Sequence, residues 1–242
     1  MERQDEVWKN DALVKTYLEG VRGGIPLAGK QIEVMLRLLK AGGGPVRRFA
    51  DIGCGDGVLS AAILAQYPEA HGVLVDFSEP MLRQARERFG GHGFRLEFVM
   101  ADYGVTQWRR GLPGPFDAVV SGYSIHHQPD ARKRQLYAEI FELLGPGGLF
   151  VNVEHVAPAT GWVESVFDEL FIDSLYAFAR NKGSDESRDD IARSFFDRPD
   201  KEANILAPVE LQCQWLRECG FEDVDCFFKI FELAVFGGRR PK

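Results

Sequence analysis

Asp51-Ile52-Gly53-Cys54-Gly55-Asp56-Gly57 is the stretch that decides the fold. A strand pattern over 48–52 runs into it, and a helix-period apolar run over 58–65 leaves it. Glycines here let the backbone turn sharply and approach a ligand closely. A dinucleotide-binding loop uses the same strand–loop–helix architecture. That fingerprint wants glycine or alanine at the sixth position, with its first glycine counted as one. Counted from Gly53, that position is Val58, which argues against a nicotinamide enzyme. The bare alternative is a strand-to-helix turn that binds nothing.

Strand and helix patterns alternate beyond the loop. Strands are predicted over 71–76, 94–101, 116–121 and 149–156, and helices over 79–89, capped by Ser78, and 131–144. This order predicts an α/β, doubly wound, mostly parallel sheet with helices on both faces. The alternation stops at Pro158. Residues 157–207 read as helical and rich in aromatics, and a helix over 208–219 is stopped by Gly220. Two closing strands, near 224–228 and 233–236, have a short connection that predicts an antiparallel C-terminal hairpin. Upstream, two helices over 7–41 are broken at Gly23-Gly24-Ile25-Pro26, and Gly42-Gly43-Gly44-Pro45 ends the second. The expected organisation is an N-terminal helical extension (1–44), a cofactor-binding core (45–156), a helical cap insertion (157–207), and a final helix and hairpin completing the core sheet (208–242).

The chain of 242 residues carries a net charge of −7, which gains nothing from phosphate neutralisation, so no strong nucleic-acid signal is present. The short basic clusters, such as Arg132-Lys133-Arg134, read as solvated surface. Cys54, Cys213, Cys219 and Cys226 form no C-x-x-C pair and no zinc spacing, so reduced thiols and no metal are expected. The opening residues Met1 to Glu6 do not read as a signal peptide, and no apolar run approaches the ~20 residues of a membrane span. The expected address is cytoplasmic, with no membrane partner.

Two further acids stand where open α/β sheets place their ligands, at the carboxyl ends of strands. Asp76 ends Val73-Leu74-Val75-Asp76 and can accept both hydroxyls of a ribose; Asp102 follows Val99-Met100-Ala101 and can accept an adenine amine. Their bland readings are a helix-dipole acid and a loop carboxylate. D-I-G-C-G-D-G, V-L-V-D-F-S-E-P-M-L, V-M-A-D and L-L-G-P-G-G, in that order, resemble the motif set of class I methyltransferases dependent on S-adenosylmethionine (SAM), a Rossmann-like family. The resemblance implies SAM as cofactor. It implies the methionine part of SAM on Asp51, Gly53, Cys54, Gly55 and Gly57, the ribose on Asp76, and the adenine on Asp102. Phe77, Met81, Tyr103 and Ser121 complete the cofactor set that it suggests. The layout after the fifth strand has a looser similarity to carboxy-S-adenosylmethionine synthases, which act in tRNA wobble-uridine modification.

The expected activity is methyl transfer to a small-molecule acceptor, apolar or aromatic. The alternatives are a carboxy-SAM synthase-like enzyme and a non-catalytic SAM-binding protein. His126 and His127, beyond the fourth strand, are the candidate general bases, with packing as the bland role. Because SAM is already an activated donor, catalysis is expected to be mainly positional. The expected acceptor residues are Tyr17, Glu154, Trp162, Phe171, Tyr176 and Arg198. As the looser similarity implies, a carboxylated SAM would need a cation from the inserted segment; Arg193 or Arg198 could serve, with surface salt bridging to Asp189, Asp190 or Asp197 as the bland role of both. A homodimer is the assembly to test.

Overall fold

Strand β1 (Arg48–Ile52) carries the decisive loop at its carboxyl end, and nearly all of it is buried. The computed structural model describes residues 4–42, 44–112 and 114–242. Six more strands join β1: β2 (His71–Asp76), β3 (Arg95–Met100), β4 (Phe116–Gly122), β5 (Leu144–His155), β6 (Glu222–Ile230) and β7 (Leu233–Arg239). Their order in the sheet is β3-β2-β1-β4-β5-β7-β6. β1 to β5 run parallel, while β7 is antiparallel to both β5 and β6. The order reverses between β1 and β4, and this is where a doubly wound sheet opens a ligand crevice.

The helices are α1 (Asp11–Glu19), α2 (Ala28–Ala41), α3 (Val58–Gln66), α4 (Glu79–Phe89), α5 (Asp130–Leu143), α6 (Gly161–Asn181), α7 (Arg188–Phe196) and α8 (Val209–Glu218). Two cores sandwich the sheet. Met35, Ile63 and Leu82 of α2, α3 and α4 pack on one face with Phe49, Leu74 and Val120. Leu136, Tyr137 and Leu216 of α5 and α8 pack on the other with Ile52, Phe150 and Phe236. Burial on both faces explains the near-continuous apolar runs of β1, β2 and β4. β6, at the sheet edge, alternates half-buried with exposed residues instead.

The structure departs from the sequence expectation where local caps and turns intervene. The first expected helix is two pieces, a 3-10 segment (Gln4–Lys9) and α1. Asn10 divides them, because its side chain accepts from the amides of Ala12 and Leu13. β5 begins at Leu144 rather than 149, since Leu144 already pairs with Phe116 and the glycine-rich turn is absorbed as a register shift. A 3-10 turn, Ile125–His127, carries both candidate histidines. Residues 161–203 form α6, α7 and a 3-10 turn (Pro199–Ala203), and their Phe167, Phe171, Ile172 and Phe195 share an apolar cluster with Ile25 and Leu233. Gly43 of the upstream glycine run and residues 1–3 lie outside the described residues. Among the described residues, no helix is long and apolar enough to cross a membrane.

Candidate active site

The loop after β1 can only be built with glycine. Gly53 and Gly57 have φ of 65° and 78°, a region that L side chains avoid. A Cβ on Gly53 would fall 1.8 Å from Ser124 Oγ, and one on Gly57 would fall 2.6 Å from the Phe89 ring. The loop therefore lies flush against its neighbours and forms the floor of a cavity of about 410 Å³. The N-terminal segment roofs it with Trp8, Tyr17, Leu18 and Arg22, and Asp51, Cys54, Asp76, Phe77 and Met81 also line it.

The charges of this cavity are held by backbone and by one another. Asp76 accepts from the amides of Gly55 and Ser78, at 2.9 and 2.8 Å. Asp51 receives the Ser60 amide and hydroxyl on a single oxygen, Oδ2. Burial pushes the carboxyl of Asp51 up to about 7 and that of Asp76 up to about 6. Arg22 Nη1 meets Asp56 Oδ1 at 2.6 Å, and Arg88 bonds the other Asp56 oxygen, so the loop is pinned between two arginines. Two buried atoms of opposite character have no hydrogen-bond partner: Asp51 Oδ1 and Arg22 Nη2.

A second cavity, of about 330 Å³, adjoins the first. Trp8, Tyr17, Ile25, Tyr123 and His127 border both. Its far walls come from the helical segment: Phe167, Asp168 and Phe171 of α6, Phe195 of α7, and Arg198, Asp200, Lys201 and Asn204 around the following turn. His126, His155 and Glu232 close it toward the sheet.

The two candidate histidines differ in their partners: His126 is held by the side chains of Glu154 and Asn204, and His127 by Trp8 and a backbone carbonyl. His127 Nε2 accepts from Trp8 Nε1 at 3.1 Å, and its Nδ1 donates to the Ala203 carbonyl at 3.0 Å. Both ring nitrogens are thus engaged, and burial lowers its pKa to about 3. His126 Nδ1 lies 2.5 Å from Glu154 Oε1, while the other Glu154 oxygen receives the His126 amide. Burial holds the His126 imidazole neutral and pushes the Glu154 carboxyl up to about 7.

The other expected residues divide by position. Tyr17 lies on the shared wall, and Phe171 and Arg198 line the second cavity. Arg198 is already held in a two-pronged ion pair by the buried Asp200. Trp162 is 74% exposed and, like Tyr176, borders neither cavity. Arg193 pairs with Asp190 on the exposed face of α7. Ser121 gives its hydroxyl to the Ile52 carbonyl. Tyr103 is buried against Ser124, and Asp102 borders a shallow groove with Phe77 and Met100. Sequence reading missed Arg22, Trp8, Asn204 and Glu232. Arg22 and Trp8 lie in the N-terminal segment, far along the chain from the loop that they cover.

A sheet of this order, a glycine loop at its switch point, and acids at the carboxyl ends of β1 and β2 facing a cavity are the architecture of a class I SAM-dependent methyltransferase. The comparisons agree. Residues 49–148 match the family model described as "Methyltransferase domain". The ubiquinone/menaquinone biosynthesis C-methyltransferase UbiE of Desulfotalea psychrophila is 27% identical over 201 residues, covering 82% of this chain and 74% of that protein. A carboxy-S-adenosyl-L-methionine synthase of Wolinella succinogenes is 25% identical over 192 residues, covering 77% and 73%. The crystal structure of an O-methyltransferase family protein from Burkholderia thailandensis superposes with a TM-score of 0.61 at 18% identity. That match takes in 99% of this chain but only 60% of the other protein, and it speaks to the fold alone. Residues 49–148 are thus a methyltransferase domain in a chain that resembles SAM-dependent methyltransferases over most of its length, and SAM is the cofactor of that domain.

Proposed function

We propose that SAM occupies the first cavity and that its methyl group passes to a small, apolar or aromatic acceptor held in the second. The pair of unpartnered buried atoms carries this reading. Asp51 Oδ1 lacks a donor and Arg22 Nη2 lacks an acceptor, both on the lining of one cavity. A zwitterionic amino-acid group supplies both partners, its ammonium to Asp51 and its carboxylate to Arg22, and buried charges are tolerated when so paired. In this arrangement Asp76 takes the ribose hydroxyls with its remaining lone pairs. Phe77, Met81 and the groove beside Asp102 receive the adenine.

SAM supplies an electrophilic methyl group on a sulfonium. What the chain adds is alignment, exclusion of water and a site for a proton. Trp8, Tyr17 and Tyr123 border both cavities, so an acceptor atom and the donor meet across that boundary. His127 is spent on Trp8 and Ala203 and acts as a fixed strut. His126 is the base: its ring is held by Glu154 at Nδ1 and by the Asn204 side chain, an acceptor N–H or O–H that displaces Asn204 reaches the imidazole, and the Glu154 carboxylate stabilises the imidazolium that results. The carboxy-SAM alternative is not favoured, because Arg198 would have to leave Asp200 to meet an added carboxylate.

The test is a comparison of His126→Ala and His127→Ala, with SAM affinity measured by calorimetry and turnover by release of S-adenosylhomocysteine. The His126 variant should lose ~10²–10⁴-fold in turnover with SAM affinity intact. The His127 variant should lose thermal stability first. Equal, small turnover losses in both would restore a purely positional mechanism.

A further inference from the structure

Building on the proposed function, we infer that Glu232 selects the acceptor, and that the acceptor is a planar aromatic alcohol or amine, uncharged or cationic, rather than a carboxylate. Phe231, at a φ of 48°, turns the chain between β6 and β7, and Glu232 follows it. The Glu232 backbone carbonyl is tied to the amide of Val156. Its side chain is buried on the lining of the second cavity. Oε2 receives His155 Nε2 at 2.8 Å. Oε1 is buried and has no partner. A buried carboxylate oxygen without a donor is costly, so a ligand that brings an N–H or O–H gains what the empty arrangement lacks.

The rest of the cavity points the same way. The arginine and the lysine on its lining are already engaged: Arg198 in an ion pair with Asp200, and Lys201 3.9 Å from Asp168 with its Nζ 3.9 Å over the Phe195 ring centroid. Among the described residues, no arginine or lysine lining the cavity is left over for an acceptor carboxylate, whereas Glu232 offers one oxygen to a donor. The aromatic wall fits a flat ring. Phe171 stands at 5.3 Å and 30° to Phe195, and at 5.7 Å and 77° to Phe167. The three rings pack on one another and so present a contiguous aromatic surface, against which a further flat ring can lie by face or edge. The specificity is negative as well as positive, since an anionic acceptor would be repelled by Glu232.

The experiment titrates 2-naphthol and 2-naphthoate into the protein saturated with S-adenosylhomocysteine, and repeats both titrations with Glu232→Gln. 2-Naphthol should bind the wild type, and its dissociation constant should rise about 10-fold or more in the variant, as for loss of a hydrogen bond to a charged group. 2-Naphthoate should bind the wild type more weakly than 2-naphthol and should gain in the variant. S-adenosylhomocysteine affinity should be the same in both proteins, which reports an intact first cavity. Tighter binding of 2-naphthoate than 2-naphthol by the wild type, unchanged 2-naphthol affinity in the variant, or no binding of either probe would overturn the assignment. Failure of S-adenosylhomocysteine to bind the wild type would instead contradict the proposed function.

Discussion

Asp51→Asn should make the ligand-free protein more stable and the SAM complex weaker. The substitution is nearly isosteric. The carboxamide oxygen that it introduces can still accept from the Ser60 amide and hydroxyl, while the carboxamide nitrogen takes the place of the unpartnered Oδ1. In the wild type, burial raises the carboxyl from 3.8 to about 7. That is a rise of about three pH units at about 1.4 kcal/mol each, or an upper bound of roughly 4 kcal/mol held against the folded, ionised protein. The folded value lies above the unfolded one. The contribution of Asp51 to stability is therefore fully present below about 3.9 and is lost as pH rises through about 7. Part of the gain is forfeited because the new carboxamide needs a partner of its own, which leaves about 2 kcal/mol at pH 8. For a chain of this size that is a rise in Tm of about 4–8 °C. The advantage should shrink by half or more at pH 5, where the folded wild type is protonated. SAM affinity at pH 8 should fall ~10–100-fold with the loss of a charge-assisted hydrogen bond to the ammonium. Scanning calorimetry of the ligand-free proteins at pH 5 and 8, with titration calorimetry of SAM at pH 8, measures both. A variant no more stable than the wild type at pH 8, or one that binds SAM as tightly, would refute the reasoning.

Two further outcomes are expected. Asp76→Ala should weaken SAM and S-adenosylhomocysteine by ~1–3 kcal/mol, since it removes hydrogen bonds to the ribose, and NAD should not compete for the site; wild-type SAM affinity in the calorimeter would remove Asp76 from it. Turnover at saturating SAM should fall as pH drops below about 7, because Glu154, raised to about 7 by burial, takes up a proton and no longer stabilises a charged His126. A pH–rate profile that is flat from 6 to 8 in the wild type would sink that role for Glu154.

The sheet was legible because its physics is local and repetitive. Strands buried on both faces must be apolar throughout, helices between them must show a 3.6 period, and Gly53 and Gly57 occupy backbone that other residues resist. Asp51 and Asp76 could be placed for the same reason, as each lies at the carboxyl end of its strand. The second cavity was legible only in part. Aromatic density marked residues 157–207, but density does not give direction. Phe167 and Phe171, four apart on α6, share a face and meet the cavity. Trp162 and Tyr176 are each five residues from the nearer of that pair, about 140° around the helix, and face elsewhere. Counting that period would have separated them. Arg22 and Glu232 carried no such signal. An unpartnered oxygen or guanidinium nitrogen becomes visible only when every neighbour that could have satisfied it has been placed.

The most direct measurement is a crystal structure with S-adenosylhomocysteine bound. The expected placement has the amino-acid end between Asp51 and Arg22, the ribose on Asp76, and the sulfur turned toward the boundary formed by Tyr17, Tyr123 and His127, open to the second cavity. A sulfur buried away from that boundary, or an amino-acid end that leaves both Asp51 Oδ1 and Arg22 Nη2 without a partner, would contradict it.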